Sequence, residues 1–387
     1  MAIPADRTAL PAPPPEALQL SEELRQLIVQ EIERAGGWLS FARYMELALY
    51  APGRGYYMAG ARRLGRDGDF VTAPEISRLF GRTLARQLRE LSTLGLSEVL
   101  EIGAGSGALA AEVLLELERA SCLPARYLIL ELSPDLRDRS RDTLAARAPH
   151  LIERVAWLNR LPPRFSGAVI GNEVLDAMPV HRFARGESGI VELGVTLRDG
   201  AFAWSSRATP ESARADAGCF PVKPYRTEIQ NVASAFVRSL ASSLQRAVVV
   251  LIDYGFPRHE YYHPQRADGT LMSHYRHRAH ADPFFLPGLQ DITSHIDFSA
   301  IANAGQDAGL ELLGYTNQAQ FLVNCGITDL LGETSPEDVK AYAPLAAEAQ
   351  KLLSPAEMGE LFKAIAFGKG VAEPLLAFAE GDRRHTL

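Results

Sequence analysis

Val99-Leu-Glu-Ile-Gly-Ala-Gly-Ser-Gly-Ala-Leu109 decides the fold of this chain, because it reads as a buried strand that runs into a glycine-rich turn and then a helix. Gly103, Gly105 and Gly107 permit tight backbone angles and let the main chain approach a ligand that a side chain would block. The segment that follows, Ala108-Leu-Ala-Ala-Glu-Val-Leu-Leu-Glu-Leu117, is built of strong helix formers with apolar residues at helical spacing. A turn of this kind cradles a nucleotide-like cofactor.

The glycines alone leave the cofactor open, since Gly103, Gly105 and Ala108 also satisfy the G-x-G-x-x-A form of a dinucleotide fingerprint. Glu101 discriminates. It stands two residues before the first glycine, where a carboxylate would repel a pyrophosphate and attract the α-ammonium of S-adenosylmethionine, so the charge favours a methyl donor over NAD. Downstream, Arg126-Tyr-Leu-Ile-Leu130 reads as a second buried strand ending in Glu131. An acid there, about 20 residues beyond the glycine turn, is placed to accept hydrogen bonds from ribose hydroxyls. The competing reading makes Glu131 an acid at the start of the next helix, which Ser133 and Pro134 open and which runs from Leu136 to Ala148.

The chain has 387 residues, 47% of them hydrophobic, enough for one large α/β core with a subdomain. A net charge of −7 argues against a nucleic-acid partner, and the cluster Arg62, Arg63 and Arg66 reads as a solvated loop. Cys122, Cys219 and Cys325 are few and scattered, which suits a reducing compartment and excludes a cysteine-rich zinc module. No apolar stretch has the length of a membrane span. Residues 1–20 carry five prolines, lack the apolar core of a secretory signal and contain one arginine, so a flexible tail on a cytoplasmic, bacterial protein is expected.

Five segments follow from composition and period: the proline-rich tail 1–20, a helical cap 21–95, the first half of the core 96–180, an inserted hairpin and helix subdomain 181–245, and the second half of the core 246–387. The cap has a helix from Glu22 to Ala35 with Ser21 as N-cap, a second from Phe41 to Leu49, and a third from Pro74 through Leu91. Ala168–Gly171 is a short strand. His181–Arg207 alternates as hairpins with an Asp199-Gly200 turn, and a helix from Pro224 to Gln245 returns the chain to the sheet. Ala247-Val-Val-Val-Leu-Ile252 is a parallel-strand run, residues 256–290 read as a long ordered loop or lid, and Phe298–Ala308, Leu310–Tyr315 and Lys363–Phe367 complete a βα alternation. The expected architecture is α/β, a mostly parallel doubly wound Rossmann-like sheet with a helical cap and inserted hairpins.

Ligands in such sheets sit outside the carboxyl ends of the strands. Four strands end in acids, Glu101, Glu131, Glu173 and Asp253, which favours a cationic cofactor and a cationic substrate over a scaffold of acids that merely cap helices or pair with arginine. Asn172-Glu173-Val-Leu-Asp176 lies where the donor's methyl group would point, and Glu173 is the leading catalytic residue. A carboxylate there can grip a guanidinium in bidentate fashion and leave one nitrogen facing the donor. Asp176 either assists or caps a short helix. His295 faces the cleft or supports the helix after Asp291. The histidines at 259, 263, 274, 277, 280 and 295 lack a matched acidic or cysteine set, so no metal site is assigned.

Phe41-x-x-Tyr44-Met45, Leu49-Tyr-x-Pro52-x-x-Gly55-Tyr-Tyr57, Gly68-Asp-Phe-x-Thr72-x-Pro74-Glu-Ile-Ser77, Glu101-x-Gly-x-Gly-x-Gly107, Asn172-Glu-x-x-Asp176-Ala-x-Pro179, Ile252-Asp-Tyr-Gly255, Asp291-Ile-Thr-x-His295-x-Asp297-Phe298 and Met358-Gly-x-Leu-Phe362 together resemble the MidA-like family of class I S-adenosylmethionine-dependent methyltransferases. That family includes the mitochondrial assembly methyltransferase of respiratory complex I, and the resemblance runs from about Ser21 to Gly370. It implies protein arginine methylation with a complex I subunit as the protein partner. By position it makes Glu101, Gly103, Gly105 and Gly107 the methionine-side loop, Glu131 the ribose contact, Asn172 and Glu173 the active-site edge, and Asp69, Thr72 and Glu75 part of the cap over the donor. A homodimer is the expected assembly. The other readings are a small-molecule or lipid methyltransferase, a non-catalytic assembly factor that keeps the fold, and an NAD-dependent oxidoreductase, which Glu101 disfavours.

Overall fold

The computed structural model describes residues 10–60, 71–187, 189–209 and 220–387. They form two compact units, and the larger comprises Val71–Val174, Ala235–Phe256 and Phe298–Leu387. Seven strands lie along the main path of its sheet, β1 (Glu98–Ile102), β2 (Arg126–Leu130), β3 (Val155–Leu158), β4 (Phe165–Asn172), β5 (Leu244–Phe256), β6 (Glu311–Asn317) and β7 (Phe362–Lys369), in the order 3-2-1-4-5-7-6. β3 to β5 across the first five positions are parallel, and β7 runs antiparallel between β5 and β6. The order 3-2-1-4-5 is that of a doubly wound sheet, and the α/β class I methyltransferase architecture expected from the sequence is the one observed.

Strand and helix identities follow from burial. β1 buries Val99, Leu100, Glu101 and Ile102, and β5 buries Ala247 through Ile252 without interruption, as a strand covered on both faces requires. The helix Ala108–Arg119 lays Leu109, Val113, Leu114 and Leu117 into the core, where Phe80, Leu84 and Leu88 of the helix Arg78–Thr93 also point. The expected helix from Pro74 is two helices, Ala73–Ile76 and Arg78–Thr93. Ser77 breaks them with an extended φ of −150° and a side chain that accepts the Leu79 N–H.

The smaller unit comprises the described residues up to 60 with Leu175–Ser234 and Pro257–Asp297. Its antiparallel sheet joins Leu39–Ser40, Gly189–Arg198, His181–Gly186 and Tyr225–Ile229 in that order, with Ala201–Ala208 also paired to Gly189–Arg198. Asp199 and Gly200 make the predicted hairpin turn with φ of 52° and 76°. Three expectations are corrected here. The first helix spans Pro15–Arg34 and not Glu22–Ala35, so Pro15–Leu20 are helical, and Ser21 is a buried mid-helix residue whose hydroxyl donates to Pro287 C=O at 2.9 Å. Tyr225–Ile229, expected in a helix, is a strand paired with His181–Arg185, and the helix is Asn231–Ser243. The presumed lid, residues 256–290, holds a helix Arg258–Tyr261 and the strands Met272–Tyr275 and Arg278–His280, which form a small sheet with Asp291–Thr293 just beyond it.

Among the described residues no helix is long and apolar enough to cross a membrane.

Gly107 fixes how the glycine turn meets the core. It has φ +80°, and a Cβ added there would lie 2.7 Å from Ser140 Cα of the helix Pro134–Arg147. Gly107→Ala therefore combines left-handed strain with overpacking and is expected to cost about 2–4 kcal/mol, read as a lowered urea midpoint at unchanged slope.

Candidate active site

The carboxyl ends of β1, β2 and β4 converge on the glycine turn. Gly103 N–H donates to Leu130 C=O at 2.9 Å, which draws the turn to the end of β2, and Gly103, Gly105 and Gly107 all have positive φ. Glu101 is buried in β1, 1% exposed. Its partner is Tyr127, one strand over on the same face, whose hydroxyl donates to Glu101 Oε2 at 2.6 Å. Burial pushes the Glu101 carboxyl up to about 7; the Tyr127 hydrogen bond pulls it down and the nearby Glu131 charge adds to the rise.

Glu131 is also buried, and its carboxylate accepts backbone N–H bonds from Ser133, Gly105 and Leu132. Burial raises its carboxyl and those three bonds oppose the rise. The carboxylate sits over the start of the helix at Pro134, as the helix-start reading expects, with Ser133 N–H at 2.9 Å, and it also reaches back to the glycine turn.

After β4 the backbone is strained. Glu173 has φ +54°, a conformation that costs a side-chain-bearing residue roughly 1–2 kcal/mol. It is held there by its N–H to Ile252 C=O at 2.9 Å, and its Oε1 accepts from Asn172 Nδ2 at 3.0 Å and Ala73 N–H at 3.3 Å. Asp253, the fourth strand-end acid, is fully buried and holds this bend: its Oδ2 accepts Val174 N–H at 3.1 Å and its Oδ1 accepts Tyr254 N–H at 2.9 Å. It is a backbone clamp. Two buried oxygens beside these elements, Asn172 Oδ1 and Glu75 Oε2, have no hydrogen-bond partner among the described residues.

Thr72 precedes the helix Ala73–Ile76 that carries Glu75, so both stand near the backbone that Glu173 grips; Asp69 lies outside the described residues. Asp176 and His295 belong to the other unit. There Asp176 C=O accepts Ser294 N–H at 3.1 Å, while His295 is pinned through its backbone by Thr270 Oγ1 at 3.1 Å and Gln230 Nε2 at 2.7 Å. Among the described residues no three His, Cys, Asp or Glu side chains lie together as a metal site. Two residues escaped the sequence reading. Tyr127 is visible only once β1 and β2 are set in register, and Leu132, beside Glu131, is an apolar side chain left 58% exposed.

Residues 79–316 match the model of a family of S-adenosyl-L-methionine-dependent methyltransferases. The chain belongs to this family. Its sequence is 28% identical to the mitochondrial protein arginine methyltransferase NDUFAF7 of Danio rerio, over 85% of this chain and 83% of the relative, and 28% identical to that of Mus musculus over 90% and 85%. A Burkholderia thailandensis methyltransferase-like structure solved bound to S-adenosyl-homocysteine is 53% identical, with TM-score 0.95 over 98% of this chain and 100% of that one. A native structure from the same organism is 52% identical, with TM-score 0.92 over the same shares. The MidA-like resemblance is thereby established, and S-adenosylmethionine is the cofactor of the family to which the chain belongs.

The raised Glu101 carboxyl sets two pH dependences of opposite sign. The folded chain holds this proton up to about pH 7 whereas an unfolded carboxyl releases it near 4.5, so the stability from the protonated form is complete below 4.5 and lost by about pH 7. Glu101→Gln, which keeps an acceptor for Tyr127, should therefore raise stability above pH 7 by roughly 3 kcal/mol and change little near pH 4.5, as followed by urea denaturation. Calorimetry with S-adenosyl-homocysteine should show wild-type affinity falling about tenfold per pH unit below about pH 7, and the substitution abolishing that slope.

Proposed function

We propose that this chain transfers a methyl group from S-adenosylmethionine to an arginine side chain of a protein, and that a respiratory complex I subunit is its substrate. The observation that carries the reading is Glu173: a carboxylate held in left-handed backbone at the end of β4, beside a glycine turn with a buried acid. Strain maintained by several hydrogen bonds and a buried clamp belongs to sites where orientation matters more than stability. The relatives support the acceptor, since those with NDUFAF7 names are described as protein arginine methyltransferases.

On this reading Glu101 attracts the donor's ammonium, Glu131 holds the ribose hydroxyls, and the turn from Gly103 to Gly107 lets the cofactor approach the main chain. Leu132 covers the base, and Thr72, Glu75 and Asp69 belong to the cap. The bound donor supplies an electrophilic methyl carbon on a positively charged sulfur. Glu173 and Asn172 hold the acceptor nitrogen in line with it; as the N–C bond forms and the C–S bond breaks, the nitrogen gives up a proton, and the Glu173 carboxylate is the base within reach of a guanidinium it grips.

Glu173→Gln keeps the shape and the Asn172 and Ala73 contacts of Oε1 but removes the charge. It should reduce methylation at least 100-fold while leaving S-adenosyl-homocysteine affinity within about twofold. The decisive experiment incubates wild type and this variant with isotopically labelled donor and a cell lysate, and locates the label by mass spectrometry. Label on protein arginine with wild type alone supports the proposal. Label confined to small molecules or lipids, or none in folded protein that binds the donor, overturns it.

A further inference from the structure

The glycine-turn site in the larger unit includes one side chain that has no part yet in the reaction, the phenol of Tyr127. Tyr127 stands on β2 and is fully buried, and its ring belongs to the core that also holds Val99, Leu109, Val113 and Ile129. A phenylalanine ring fills such a core equally well, so the hydroxyl serves something else. It donates to Glu101 Oε2 at 2.6 Å, the length of an O–H bond to a charged carboxylate. Among the described residues no other hydrogen bond or ion pair reaches the Glu101 carboxyl. β4 sets Ala168 to Gly171 beside β1 and brings no titratable side chain, and the helices Arg78–Thr93 and Ala108–Arg119 turn apolar side chains into the same core. Beyond the end of β2 the Glu131 charge repels that of Glu101, and Arg137 acts on Glu131 in turn. Burial favours the neutral acid at Glu101, and the Tyr127 hydroxyl opposes it.

Glu131 and Asp253, also at strand ends, are held by main chain: Glu131 accepts N–H bonds from Ser133, Gly105 and Leu132, and Asp253 from Val174 and Tyr254. Backbone donors come with the fold, whereas a phenol is a choice of residue. An arginine or lysine in its place would neutralise Glu101 and repel a cationic donor. An apolar side chain would leave the buried acid protonated and without attraction for one. A phenol donates a hydrogen bond and brings no charge. It also stays a donor, since burial and then the Glu101 charge hold its own ionisation far above the ordinary range.

We propose that Tyr127 is a positioning residue for the methyl donor: its hydroxyl binds Oε2 and stabilises the charged carboxylate of Glu101, which leaves Oε1 to receive the donor's α-ammonium. This rests on the reading of Glu101 as the ammonium contact. Tyr127, fully buried, acts through that carboxylate. In the plainer alternative, phenol and carboxyl only satisfy each other inside the core. The two differ in how donor affinity responds to pH.

The test measures S-adenosyl-homocysteine affinity of the full chain by calorimetry from about pH 6 to about pH 9, in wild type, Tyr127→Phe, Glu101→Gln and the double variant. Loss of a hydrogen bond to a charged group should raise the Glu101 midpoint by about one pH unit. Tyr127→Phe should therefore bind about tenfold more weakly than wild type below about pH 7, with the gap closing to less than about twofold by about pH 9. In the Glu101→Gln background the same change should move affinity less than about twofold at every pH. A ring-fluorinated tyrosine in place of Tyr127, a stronger phenol donor, should lower the midpoint, and it carries the test if Tyr127→Phe does not fold. A loss that is equal at every pH, no loss, or a midpoint unmoved by fluorination overturns the proposal and leaves the Glu101 reading standing. A wild-type affinity without a pH slope that Glu101→Gln removes overturns the Glu101 reading, and this proposal with it.

Discussion

A carboxyl buried on β1, between the parallel strands β2 and β4, is the constraint on which the rest of this site depends. Glu101 sits on β1 with a neutral phenol as its hydrogen-bond partner, and burial lifts its carboxyl to about 7. To keep an acid there the chain must set Tyr127 on the neighbouring strand in a fixed register, and must place a turn without side chains immediately beyond it. Gly103 meets that need and bonds back to Leu130, which brings Glu131 to the same rim. The register of β1 and β2, the glycine turn and the second acid are therefore one assembly, and none of its parts can shift without disturbing the others.

Much of this assembly was legible in the residues. β1, its turn and the helix after it announce themselves through a short apolar run, three glycines and a run of helix formers, and Arg126–Leu130 appears in the structure with the bounds read from the sequence. What stayed hidden depends on pairing between distant segments. Tyr225-Arg-Thr-Glu-Ile229 becomes a strand because His181–Arg185, some way back in the chain, offers it an edge, and no local period reports that. The same holds for Met272–Tyr275 and Arg278–His280, which read as loop because each strand is only three or four residues long. β7 reads as a strand from its apolar run, but its reversed direction is a property of the whole sheet.

Site acids were harder still, since the sequence shows where a carboxylate stands in a strand and not what answers it. Asp253 read as one more strand-end acid without a role of its own, yet it closes on two backbone N–H groups and shapes the Glu173 bend, while Glu131 divides its bonds between a helix start and the glycine turn. The strained φ of Glu173 has no sequence signal at all, because residue type there is not glycine, asparagine or aspartate, the types that betray left-handed backbone.

Other buried acids of the chain supply the contrast that gives Glu101 its meaning. Glu192 is answered by His181 at 2.9 Å and Arg207 at 3.2 Å, and Glu228 by Arg182 at 3.2 Å and the Thr270 N–H at 2.7 Å. Those carboxylates are compensated by cations of the chain itself, and Glu192 accordingly lies below the ordinary carboxylate range. Glu101 has no such cation among the described residues and is displaced in the opposite direction. An acid that the fold neutralises is explained by the fold, whereas one left on a phenol at the mouth of a glycine turn is a cost in stability that folding alone would have no reason to retain. On the function proposed above the compensating charge comes with the ligand, since the family's donor is a cation at both its sulfur and its amine.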